Sequence, residues 1–246
     1  MSISYSPLKK TEPLQQILQR PDLWKGRNGP VSCSLGISTG YPELDKKLLR
    51  KGWPQNGLIE FQQQFFGHGE WHLLLPSMVS LLAEPGYIAL ISPPAVPYAP
   101  ALIQRGIAPE RVLVIEPLKK QDWLASVLEV LAANCCVTLC CWEPRQRLLH
   151  AELRKLQLAS SQSGSLCFLL REKSNRAYSA SPAVLKLKLQ NSPAGLQVRI
   201  DKQRGSYEGG EVLLAWPSQL SSHQDFGFRK PETDRPDNIL QFSGHS

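Results

Sequence analysis

Residues 57–71, GLIEFQQQFFGHGEW, decide the fold. GLIEFQQQ reads as a first strand after the Pro54–Gly57 turn, and Gly67 and Gly69 then lead into a helical run from Trp71 to Leu82. Strand, glycine turn and helix in succession form the setting of a phosphate-binding loop, because bare backbone N–H groups wrap an anion there. The full pattern ends in Gly-Lys-Ser/Thr, whereas here Gly69 is followed by Glu70 and Trp71. A carboxylate in the lysine's place repels a γ-phosphate, and an indole cannot ligate magnesium. Gly67 and Gly69 are therefore expected to serve a tight turn, with no cofactor bound.

Downstream, short apolar runs alternate with helical patterns. Tyr87 to Ser92 (YIALIS) is a second strand closed by Pro93 and Pro94, then Pro100 to Arg105 a short helix and RVLVIEP a third strand. Asp122 is expected to cap a helix whose Trp123, Val127, Leu128 and Leu131 share a face. CVTLCCW gives a fourth strand, Arg145 to Ala159 a long polar helix, and GSLCFLLR a fifth strand. Pro76 should kink or shorten its helix. Strands without polar alternation, separated by helices, imply a parallel sheet covered on both faces. After Ser181, AVLKLKLQ and LQVRIDKQ alternate in period two around NSPAG, a hairpin with one wet, basic face. The expected fold is α/β, a mainly parallel sheet with a C-terminal antiparallel hairpin.

That domain is expected over residues 36–216. Residues 1–35 read as an arm with a short amphipathic helix (Leu14, Ile17, Leu18) and a linker, and the polar, Pro-punctuated residues 217–246 as a disordered tail. The 246 residues, 42% hydrophobic and 20% charged, exclude a chain disordered throughout. No apolar run approaches the ~20 residues that span a bilayer. The N-terminus lacks a signal-peptide core, so a cytoplasmic location is expected.

The net charge of +7 is uneven: +3 over residues 1–30, +1 over 31–170, +6 over 171–207 and −3 over 208–246. Trp24, Lys25 and Arg27 in the arm, and Lys186, Lys188, Arg199, Lys202 and Arg204 on the hairpin, are the interaction candidates. A basic face serves nucleic acid or an acidic protein equally well, since both are recruited by charge.

Other constellations carry less. The four cysteines of NCCVTLCCW cannot converge on one metal, because Cys135 and Cys141 should face opposite to Cys136 and Cys140. They read as small buried hydrophobes. His68 and His72 lie four apart, but Pro76 and Glu70 argue against a metal pair. No nucleophile elbow and no Ser/His/Asp or Cys/His set can be read, so no catalytic residue is expected.

The order of segments resembles a RecA-type core. STGYPELDKKLLRKGWPQNGLIEF carries the Ser-Thr-Gly, Leu-Asp and Gly-x-Pro-x-Gly features that precede its first strand. GEWHLLLP, IALISPPAVPYAPAL, KLQLAS, SPAVLKLKL with KQRG, and Trp24-Lys25-Gly26 are similar to the ImuA family, over roughly residues 12–207. These are RecA-like proteins associated with translesion DNA synthesis in bacterial mutagenesis cassettes. On that resemblance Glu70 stands at the phosphate-loop lysine and Trp71 at the adjacent Ser/Thr. Pro94 falls near the catalytic glutamate, and Trp142 at the magnesium-holding aspartate, with Glu143 displaced by one. The resemblance thus implies a non-hydrolysing scaffold, an accessory of SOS-induced error-prone synthesis that binds an inactive Y-family polymerase, ImuB. It also leaves room for self-association through the arm and weak DNA contact through the basic segment. The run LLLPSMVSLLAEPGYIALISPP is similar to SulA as well, the division inhibitor that binds FtsZ, whose minimal form lacks the Trp-Lys-Gly segment and the basic hairpin.

Overall fold

The computed structural model describes residues 35–67, 69–173, 181–206 and 209–216. Trp24, Lys25, Arg27, His68, the helix expected in the arm and the expected tail lie outside the described residues. The elements are α1 (Pro42–Lys47), β1 (Leu58–Gln63), α2 (Glu70–Leu81), β2 (Tyr87–Ile91), α3 (Ala99–Gln104), a 3₁₀ turn (Pro109–Arg111), β3 (Val112–Ile115) and α4 (Lys120–Ala133). Then come β4 (Cys136–Trp142), α5 (His150–Gln162), β5 (Leu166–Glu172), β6 (Leu185–Ser192), β7 (Gly195–Gln203) and β8 (Gly210–Ala215). One sheet runs β3-β2-β4-β5-β1-β6-β7-β8. Strands β1 to β6 are mutually parallel, while β7 is antiparallel to both β6 and β8. The expected α/β class, mainly parallel sheet and C-terminal hairpin are thus present.

The central strands are largely apolar because they are covered twice, with Glu60 of β1 and Arg171 of β5 as buried, charged exceptions. On one face Leu58, Ala89, Ile91, Leu139, Cys141, Cys167 and Leu169 pack with Trp123, Val127 and Leu131 of α4 and Leu153 and Leu156 of α5. The alternate residues face the other way. There Phe61 and Phe168 stand 5.2 Å apart, centroid to centroid, with Trp53 edge-on to Phe168 at 5.3 Å. The helices α4 and α5 pack on β2, β4 and β1, so β6–β8 carry their alternating polar side chains in the open.

The Ser-Thr-Gly lead-in is a built turn. Asp45 accepts from the Ser38 hydroxyl at 2.7 Å and from the Thr39 N–H at 2.9 Å, which ties the turn to α1. Gly40 has φ +85°, and a Cβ there would lie 2.3 Å from the Pro76 Cβ. Helix α2 runs through Pro76. Proline has no N–H for the carbonyl four residues back, that of His72. The Tyr41 hydroxyl donates to that carbonyl instead, at 2.7 Å.

Four details differ from the sequence expectation. Asp122 does not cap α4: the helix starts at Lys120 with Lys119 as its N-cap, and Asp122 sits in the first turn, where its charge still suits the helix dipole. Helix α5 begins at His150 and not at Arg145; the Leu149 N–H donates to Glu152 at 2.6 Å and fixes that start. A bulge between Tyr87 and Ile88 pairs Tyr87 with Cys136 and Ile88 with Thr138, skipping Val137. Cys136 therefore joins the same core cluster as Cys141, while Cys135 lies outside the strand and is exposed. The fourth detail is β8, an additional strand that closes the sheet beyond the hairpin.

Candidate functional site, the glycine loop and the hairpin face

Strand β1 delivers its C-terminal end to the glycine loop in the interior of the sheet. Gly67 (φ +80°) and Gly69 (φ +113°) make the turn, and α2 starts at Glu70 with Gly69 as its left-handed N-cap. Glu70 is completely buried, and its carboxylate accepts the Gly67 N–H at 2.5 Å. A carboxylate of the chain itself occupies the end of the helix where loop amides would otherwise meet an external anion. Beside it Trp71 and Trp142 lie 6.3 Å apart, centroid to centroid, at the end of β4. Pro94 is exposed in the loop beyond β2, after Ser92, whose φ is +52°.

Behind the loop lies a buried ionic network that the sequence reading did not single out. Glu60, fully buried at the middle of β1, stands 3.4 Å from Arg171 of β5 and 3.6 Å from Lys186 of β6. Ser181 donates to its second oxygen at 2.5 Å. Arg171 also makes a two-pronged contact with Glu143, at 3.0 Å and 2.7 Å, and Glu143 accepts the Leu148 N–H. Lys202 donates to the Ser181 carbonyl at 2.6 Å; burial, with Arg204 and Lys186 nearby, lowers its pKa. Each charge has a partner, which the low dielectric of the interior requires. The signal was present as Glu60, a carboxylate in an otherwise apolar strand centre.

The hairpin candidates are brought onto one sheet face, yet most are engaged internally. Lys186 reaches Glu60, Lys188 meets Asp201 at 2.6 Å, and Arg199 meets the same Asp201 at 3.0 Å. Arg204 is exposed, with its backbone N–H bonded to the Val184 carbonyl. The +6 read from residues 171–207 is therefore much reduced as a surface charge.

Over this face opens a groove of about 410 Å³, bordered by β1, β6 and β7. Its lining is amide-rich, with Gln62, Gln64, Gln190 and Gln197 beside Lys188 and Arg199. The loops at the same end of the parallel strands expose large apolar side chains: Phe65 after β1, Val96 and Tyr98 after β2, Leu118 after β3, Leu149 after β4.

Among the described residues no group of three His, Cys, Asp or Glu is placed to hold a metal ion, and no helix is long and apolar enough to cross a membrane. Set against known proteins, the chain matches no family model and no curated protein.

Proposed function

We propose that the chain is a non-catalytic RecA-like accessory protein of SOS-induced translesion DNA synthesis, an ImuA-type adaptor for an ImuB-like, inactive Y-family polymerase. The observation that carries the reading is the Glu70 carboxylate bound by the loop's own Gly67 N–H. A loop that holds its own anion has no need of a nucleotide, and on the RecA-type resemblance Trp71 and Trp142, which pack against each other, replace the groups that hold magnesium. The P-loop ancestry implied here is supported by β1 lying between β5 and β6 and feeding a glycine turn into a helix at the strands' C-terminal end. With phosphoryl transfer removed, a rigid α/β body rimmed by exposed Phe65, Val96, Tyr98, Leu118 and Leu149 suits protein binding.

The test is co-expression of the tagged full chain with the inactive polymerase subunit. Stoichiometric co-purification is expected. Failure of capture, together with filamentous cells and blocked FtsZ polymerisation, would replace the adaptor reading with the division-inhibitor one.

A further inference from the structure

We propose that the groove bordered by β1, β6 and β7 receives an extended peptide segment of the protein partner, one that carries a carboxylate flanked by amide or hydroxyl side chains. This rests on the adaptor reading and names the chemistry of the partner's contact. The groove, at about 410 Å³, falls within the ~300–1,000 Å³ range of ligand clefts. Gln62, Gln64, Gln190 and Gln197 line it, and each amide offers a donor pair and an acceptor, the complement of a peptide main chain.

The cations show which anion they accept. Asp201 is held by Lys188 through one oxygen and by Arg199 through the other. Both are thus already oriented toward carboxylate geometry. Glu211 lines the same groove opposite Arg199 in the β7–β8 register. Three cations, Lys173, Lys188 and Arg199, against two carboxylates, Asp201 and Glu211, leave a local surplus of one. Nucleic acid binding needs one unspent cation per neutralised phosphate, so a polyanion gains little here, whereas a peptide with a single carboxylate and many amides is matched. The face is open because α4 and α5 pack on β2, β4 and β1.

The experiment places a photoreactive benzoylphenylalanine at Gln190 in the full chain, irradiates the native cells, and maps the adduct by mass spectrometry. Gln104, exposed on α3, is the control position. A protein adduct at position 190 but not 104 is expected, on a segment with a carboxylate within a few residues of the cross-link. Gln197→Glu, which sets a like charge in the groove without touching an ion pair, should reduce the adduct at least fivefold; Arg199→Gln should do the same. A nuclease-sensitive adduct, equal yield in the variants, or no adduct would overturn the proposal. If the polymerase subunit still co-purifies with Gln197→Glu, the groove assignment fails and the adaptor reading stands. If the adduct maps to a different protein, the reverse holds.

Discussion

The carboxylate of Glu70 accepts the backbone N–H of Gly67, so the first residue of α2 closes the loop that leads into it. An acidic first turn is ordinarily worth a few tenths to about 1 kcal/mol of dipole stabilisation. Here the same side chain also satisfies a loop donor.

Gly40 and Gly67 both have positive φ, and they separate strain from crowding. Gly67→Ala meets nothing within 4 Å and should lose only about 1 kcal/mol, the left-handed cost. Gly40→Ala adds a collision with Pro76 at 2.3 Å and should lose about 2 kcal/mol or more. Urea unfolding of both variants checks the order; equal losses would mean that the Gly40–Pro76 contact is slack.

Arg171 is 2% exposed and links Glu60 to Glu143. Arg171→Ala strips the buried Glu143 of its cation and leaves Glu60 only Lys186 at 3.6 Å, with an expected loss of about 3–5 kcal/mol. Lys188→Ala breaks a partly exposed pair and should lose under about 1 kcal/mol. Denaturant midpoints of the two variants decide; a loss for Arg171→Ala as small as that of Lys188→Ala would dissolve the network argument.

Burial raises the Tyr41 pKa to about 12, against a smaller opposing influence from Arg105. The folded state then binds the phenolic proton more tightly than the unfolded chain. The stability it contributes is complete below pH ~10 and falls as pH rises through about 12. A tyrosinate absorbance titration should show a late step near pH 12 that Tyr41→Phe removes. The same variant loses the bond to the His72 carbonyl, about 1–2 kcal/mol of stability. An unchanged late step would assign it to another tyrosine.

The thiols should differ sharply in reactivity. Burial pushes Cys136 up to about 12 and Cys140 well above the usual thiol range, the hydrogen bond with Cys167 together with burial does the same to Cys141, and Cys135 is exposed. Among these four, brief alkylation of the native protein followed by peptide mapping should label Cys135 first. Comparable labelling of Cys140 would show the sheet interior opening under native conditions.

The strands were legible where burial is two-sided, as in YIALIS and CVTLCCW, because short, β-branched-containing apolar runs between helical patterns suit a parallel strand covered on both faces. Helix starts were less so. Arg145 to Leu149 look helical in composition, yet Pro144 and the Glu152 carboxylate bonded to the Leu149 N–H set the start at His150. The bulge that turns Cys136 to the side of Cys141 leaves no local mark, since it depends on the register with β2. The glycine turn between β1 and α2 was readable from the loop pattern. The neutralisation of Lys186 and Lys188 was not, because their partners Glu60 and Asp201 become neighbours only through strand pairing, whereas Arg199 and Asp201, two apart on β7, share a face through the strand period alone.

The most direct test of a self-filled, non-catalytic loop is calorimetric titration of the full chain with magnesium and ATP, paired with a phosphate-release assay. The expected result is no saturable binding and no turnover. Saturable binding, or turnover abolished by Glu70→Gln, would contradict it.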